Sequence, residues 1–314
     1  MTGRILVIYV IAALALLCGC KGKSDVNPPQ DSQQKTLLSQ ISDKLKASRV
    51  YTSKQTALLV DFESLKMDWK NAFDYSGQDL RTIEEDLRTK TNENFDFLLT
   101  VAKGSEPVGK KIASAVLGFS NNKNALPVLL NNLYFPSNTV KANSAISIGM
   151  LADKDTSISL LVDLMAKDPD ADVRNSCAFA IYKIVQPGND KGSYETLIKG
   201  LDDPDEGVRN QSVRALMKIG KKEAAEHLIK KTLSDPVPTV SDNTILALQT
   251  LECYDPVVEI LVTNIESGDF KIRANSLRVL KLLTKIDLGD DQIAWRKWWD
   301  HNKEQFLKEK ERVQ

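Results

Sequence analysis

Apolar side chains return along this chain at a near-constant interval. Val140, Val173, Val208, Val240 and Ile272 are separated by 33, 35, 32 and 32 residues. Five positions beyond each anchor stand Ala145, Ala178, Val213, Ile245 and Leu277, and eight positions beyond stand Ile148, Ile181, Leu216, Leu248 and Leu280. Each residue of an α-helix advances about 100°, so offsets of zero, five and eight fall on one face. Every anchor segment is therefore expected to be a helix with that face in a core. Upstream of each lies a second apolar burst at helical spacing: residues 126–133, 159–166, 194–201, 226–233 and 258–265. One unit is then two short antiparallel helices of roughly three turns each. Such a pair cannot bury its apolar stripe alone, but stacked pairs share a continuous core. The fold class expected is all-α, a right-handed α-solenoid of stacked antiparallel helix pairs.

The polar residues between the bursts repeat as well. "DPDADVR" (Asp168–Arg174) returns as "DPDEGVR" (Asp203–Arg209). Pro136, Pro169, Pro204 and Pro236 each lie four residues before an anchor, and Asp168, Asp203 and Asp235 precede three of them. Proline suits the first helical position, and an aspartate before it can accept from a free N–H of the first turn. The second helix of each unit is thus expected to open at that proline. Lys141, Arg174, Arg209 and Arg273 follow four of the five anchors, Ser241 being the exception. With Asp170 or Asp172, Asp205 and Asp269 just ahead of them, they are expected to form an acid–base ladder between units.

The phrases "DPDADVRNSCAFAIYKI" (168–184) and "DPDEGVRNQSVRALMKIG" (203–220) resemble HEAT repeats, of the short bacterial kind also found in phycobilisome-lyase-like proteins. The resemblance covers about Glu106 to Phe306. The period is shorter than the roughly 40–47 residues of typical HEAT and armadillo units, while the tetratricopeptide and ankyrin signatures are missing. A looser unit precedes the five through residues 107–119, its register slipped by about one residue. The closing segment 283–306 resembles a tail common to bacterial HEAT-repeat proteins. Its Trp295, Trp298 and Trp299 share one helical face, as expected of an aromatic plug on the end of the stack.

The first residues read "MTGRILVIYVIAALALLCGC". One basic residue, Arg4, precedes 13 apolar residues, too few for a membrane span of about 20. This is the pattern of a secretory signal. "LCGC" (17–20) resembles the bacterial lipobox, which implies cleavage before Cys20 and acylation of that cysteine. Lys21, where an aspartate would imply retention at the inner membrane, points to the outer one. The expected order is a lipoprotein signal over 1–19, lipidated Cys20 with a tether to 34, a helical N-terminal region or cap over 35–103, the repeats over 104–306 and a charged tail over 307–314. The tether's root-mean-square reach is roughly 20 Å. Expected localisation is the bacterial cell envelope, facing the periplasm or the surface.

Charge adds little direction. There are 42 basic and 42 acidic residues, and removing 1–19 takes away one arginine and no acid. A balanced chain carries no strong field for nucleic acid, so none is expected as a partner. Cys177 and Cys253 sit on helices two units apart, too far for a disulfide, and are expected as buried thiols. Chemistry-bearing motifs are sparse. Glu223 and His227 are spaced i, i+4, but no His-Glu-x-x-His, Gly-rich phosphate loop or nucleophile elbow accompanies them. No cofactor or metal is expected. Asn189 and Asp190, in the loop 186–195, are minor contact candidates.

Helical geometry suggests a surface instead. Offsets three and six from the anchors turn away from the core set. Offset three reads Asn143, Ser176, Gln211, Asn243 and Asn275; offset six reads Ile146, Phe179, Arg214, Leu246 and Arg278. In HEAT-like folds this helix lines the inner face. Asn143, Phe179, Gln211, Arg214, Asn243, Asn275 and Arg278 are therefore the candidate partner-binding residues. The function expected is a non-catalytic, membrane-anchored envelope scaffold for a protein or peptide. A modifying enzyme related to the chromophore-attaching lyases and a passive spacer are the alternatives.

Overall fold

The structure is a computed structural model that describes residues 31–75 and 80–312. Cys20, the signal expected over 1–19 and the expected tether as far as residue 30 lie outside the described residues. The last four residues of that tether, 31–34, are a correction: they form the first turn of a helix that begins at Asp31. Those described form sixteen α-helices and no strand, an α-solenoid of paired helices as the periodicity predicts. No helix among them is long and apolar enough to cross a membrane. The chain divides into two compact units, one ending at Ile184 and one beginning at Val185.

The first unit opens with α1 (Asp31–Ser48), α2 (Ser53–Tyr75) and α3 (Leu80–Glu93). These helices lack the Asp-Pro phrase, yet α1 and α2 both pack against α5 of the repeats. Leu45, Leu59, Phe62 and Leu87 are fully buried among them, and Trp69 meets Phe119 edge-on at 5.6 Å. Three helix pairs follow: α4 (Phe95–Lys103) with α5 (Pro107–Val116), α6 (Leu126–Asn132) with α7 (Asn138–Leu151), and α8 (Ser159–Lys167) with α9 (Ala171–Ile184). Their second helices, α5, α7 and α9, pack side by side.

The slipped register of the looser unit has a local cause. Helix α5 stops at Val116 and the chain tightens into a 3₁₀ turn over Leu117–Ser120. Gly118 lies against Ser147 of α7, where a Cβ would come within 2.8 Å of the Ser147 Cα. The absent side chain lets the two backbones approach, and the Gly118 N–H donates to Ser147 Oγ at 3.2 Å.

The second unit repeats the scheme: α10 (Tyr194–Gly200) with α11 (Glu206–Ile219), α12 (Ala224–Thr232) with α13 (Pro238–Leu251), and α14 (Val257–Asn264) with α15 (Phe270–Thr284). Helix α16 (Gln292–Glu311) closes it against α14. Trp295 and Trp299 are fully buried there. Their indole N–H groups donate to Gly289 O at 3.1 Å and Glu259 Oε2 at 2.7 Å. That indole bond first, then Arg296 and Lys303, holds the Glu259 carboxyl below its usual range despite burial.

Val140, Val173, Val208 and Val240 are completely buried, as are Ile148, Ile181, Leu216 and Leu280. Ile272 and Leu277 depart from this and are half-buried. In α15 the buried positions are Asn275, Ser276, Val279, Leu280, Leu283 and Thr284. The closing helix packs chiefly on α14, which leaves that flank of α15 open.

The helix starts need a correction. The second helices begin at Asn138, Ala171, Glu206 and Pro238, two residues later than the prolines suggest. The first aspartate of each phrase closes a small turn: Asp168, Asp203 and Asp235 each accept the N–H two residues on, at 2.9–3.0 Å. Helix capping falls to the second acid. Asp170 accepts from Val173 N, Asp205 from Val208 N, and Asp269 from Lys271 N and Ile272 N. Proline fixes the turn between the two aspartates, and the free donors of the first turn come only after it.

Candidate partner-binding face

The basic residue after each anchor is held by its own turn. Arg174 donates to the carbonyls of Asp168 and Pro169, Arg209 to those of Asp203 and Pro204, and Arg273 to that of Ser267. Two rungs of the expected ladder form, at Lys141 and Arg209, and through a different acid. Lys141 pairs with Asp168, the first aspartate of the following unit. Arg209 grips Asp235, again in the following unit, with Nε–Oδ2 at 2.7 Å and Nη2–Oδ1 at 3.1 Å. Asp170, Asp205 and Asp269 cap their helices, and Asp170 also accepts from Asn138 Nδ2 of the preceding unit at 2.9 Å. The Asp–Pro turn thus holds its own helix start with one oxygen and the previous repeat with another.

The proposed inner row is largely buried, which corrects the expectation of an open surface. Phe179, Gln211, Arg214 and Asn275 are 1, 0, 6 and 8 % exposed. Asn143 and Asn243 are half-buried, and only Arg278 is open. The amides of this row face neighbouring helices. Asn143 Nδ2 donates to Lys111 O at 3.0 Å, Asn243 Nδ2 to Asn210 Oδ1 at 2.7 Å, and Asn275 Nδ2 to Leu233 O at 2.7 Å. The physical reason is that a second helix in such a stack is covered on several sides, by its pair partner and by the second helices beside it. Neighbouring axes lie about 8–10 Å apart, so positions off the core stripe still meet protein. Phe179 fills the space over Gly149, where a Cβ would come within 2.7 Å of its ring.

What stays open lies on α13 and α15. Leu246 is 48 % exposed. Arg278 bridges to Asp242 at 3.0 Å, with both side chains well exposed. Below Leu246 the C-terminal ends of α13 and α15, with Lys310 of the last turn of α16, border a half-open cavity of about 440 Å³. Tyr254, Lys285 and Lys310 line it, and the sequence reading missed all three. Lys310 Nζ lies 4.9 Å over the Tyr254 ring and 5.3 Å over Phe306, which meet each other edge-on at 5.7 Å. Burial, then the charge of Glu252, pushes the Tyr254 hydroxyl up. Glu252 and Lys285 stand in left-handed conformation at the C-caps of α13 and α15.

The minor candidates are accounted for locally. Asn189 and Asp190 accept N–H groups of their own loop, from Lys191 and Gly192, and Asp190 also pairs with Lys221. Glu223 and His227 are both exposed. Among the described residues no three His, Cys, Asp or Glu side chains are grouped to hold a metal ion. Cys177 and Cys253 are free, buried thiols, as expected, and burial raises both.

Repeated helix pairs joined by ladder and amide contacts define an α-solenoid repeat protein. Residues 95–182 and 184–249 match the family model of HEAT repeats, so the chain carries HEAT repeats through these two stretches. The match includes the looser α4–α5 pair. An 88-residue stretch is 35 % identical to a deoxyhypusine hydroxylase of Aspergillus clavatus, covering 27 % of this chain and 25 % of that protein. The chain thus spans about a quarter of the length of that relative. A designed armadillo repeat protein in complex with the peptide (KR)4 is similar at 15 % identity and TM-score 0.41, over 78 % of this chain and 99 % of that one. The complex of CpcE and CpcF of phycocyanin lyase from Nostoc sp. is similar at 19 % identity and TM-score 0.31, over 70 % and 94 %.

Proposed function

We propose that the chain is an envelope lipoprotein, held at a membrane through Cys20, whose solenoid is a non-catalytic scaffold for another polypeptide. The observation that carries the scaffold reading is the surface left open on the second unit. Leu246 is exposed on a helix whose other apolar positions are buried, and Arg278 and Asp242 flank it as a polar rim. An apolar centre with a charged rim is the usual anatomy of a protein contact. Anchoring is supported by the "LCGC" motif after a short apolar run.

Crosslinking on intact cells tests both parts. The parent chain should label with radioactive fatty acid and crosslink to a defined set of envelope proteins. Cys20→Ser should lose the label. A label that survives in the variant would overturn anchoring through Cys20, and a parent with no crosslinked partner would favour the passive spacer. The match to a hydroxylase supports a second, enzymatic reading. It predicts a mass change on the crosslinked partner that appears only in cells producing the chain.

A further inference from the structure

We propose that the cavity between the ends of α13, α15 and α16 receives the C-terminus of a partner polypeptide, its terminal carboxylate on Lys285 and Lys310 and its last, apolar side chain on Leu246 and Leu282. This rests on the scaffold reading and gives it a specific ligand chemistry. At about 440 Å³ the cavity falls in the range of small-ligand sites. A helix with side chains is about 10–12 Å across and would lie over its mouth; the end of an extended chain can enter.

The charges on its walls select an anion. Other basic side chains nearby are neutralised, Lys281 by Asp287 at 2.7 Å and Arg278 by Asp242 at 3.0 Å. Lys285 and Lys310 meet no carboxylate among the described residues. Glu252 is the third charged group on the wall, so basic side chains outnumber acidic ones there two to one. The negative end of α15 is dulled where the Lys285 N–H donates back to Lys281 O. The aromatic pair Tyr254 and Phe306 holds the Lys310 ammonium by cation–π contact, limiting its freedom before a ligand arrives. A chain terminus presents carboxylate and side chain from the same Cα, so one residue meets both the ammonium groups and the apolar floor.

The test uses the full chain in detergent and a fluorescein-labelled peptide, Gly-Ser-Gly-Leu-Leu, as the free acid and as the C-terminal amide. Anisotropy should show the acid binding at least about tenfold more tightly than the amide, with added salt weakening the acid only. Lys285→Gln with Lys310→Gln should bring the acid down to the affinity of the amide at an unchanged melting temperature. Leu246→Asn should weaken both peptides. Equal binding of acid and amide by the parent, or no binding of the acid at about 1 mM, would overturn the proposal without any variant being needed. Crosslinking in cells separates the two levels. Partners retained by the double-lysine variant while the peptide arms fail would remove the carboxylate site and leave the scaffold standing. No crosslinked partner for the parent removes both.

Discussion

Ala152, Gly220 and Glu252 occupy the same place in three repeats, twelve residues after the anchors Val140, Val208 and Val240, and all three have positive φ, at 47°, 78° and 46°. This is the left-handed residue that ends a helix. Glycine adopts it freely, whereas an L side chain there costs about 1–2 kcal/mol. Ala152 is exposed and makes little use of its methyl group. Ala152→Gly is therefore expected to stabilise the chain by roughly 1 kcal/mol, and Gly220→Ala to destabilise it by a similar amount, both readable from urea midpoints. Gly149 shows the opposite constraint. Its Cβ would lie 2.7 Å from the Phe179 ring and 2.9 Å from the Ala180 Cα. Backbone cannot move aside as a flexible side chain can, so Gly149→Ala should cost about 1–3 kcal/mol. Phe179→Ala empties the same contact and should cost about 3–5 kcal/mol. Phe179 is thus a packing residue, and Arg278 is the member of the original row suited to a surface test.

Between elements, the stack is held as much by polar contacts as by its apolar stripe. Arg209 joins α11 to the turn before α13 through both oxygens of Asp235, whose side chain is only 3 % exposed. Removing the arginine would leave that carboxylate buried without its cation. Arg209→Ala should cost about 3 kcal/mol by thermal or urea unfolding, well above the usual effect of a surface change. Glu63 does similar work between α2 and α5. Burial pushes its carboxyl up, but Lys66 at 2.7 Å and Lys111 at 2.9 Å more than offset that, and the net shift is downward from 4.5. A folded pKa below the unfolded one contributes stability above the unfolded value and loses it as pH falls through the folded value. The chain should therefore weaken as pH drops below about 4.5. Glu63→Gln should flatten that acid limb in circular-dichroism titrations while lowering stability at neutral pH.

At the scale of the whole molecule, the periodic apolar residues carried most of the fold. Val173 and Val208, thirty-five residues apart, mark the same buried position, and their spacing was enough to locate helix pairs. The sequence placed the second helices two residues early because an Asp-Pro turn and a helix start use the same residue types. It misjudged the inner row because a helical wheel has one core side, whereas Gln211 and Asn275 are covered by neighbouring helices that no local pattern reveals. The cavity was illegible for a related reason. Leu246, Lys285 and Lys310 stand on three helices, and only the tertiary structure brings them to one place.

The buried thiols have a practical consequence. Cys177 belongs to the first unit and Cys253 to the second, so each half of the molecule encloses its own sulfhydryl. An alkylating reagent can reach the fully buried Cys177 only when the surrounding helices separate, and Cys253, in the connection after α13, only when that connection opens. Modification of Cys177 and Cys253, resolved by peptide mass, therefore acts as a pair of internal clocks, one per half. Arg209→Ala should quicken the clock at Cys253, and Gly149→Ala the clock at Cys177. Whether one half can open while the other stays shut is then read from two alkylation rates in a single sample.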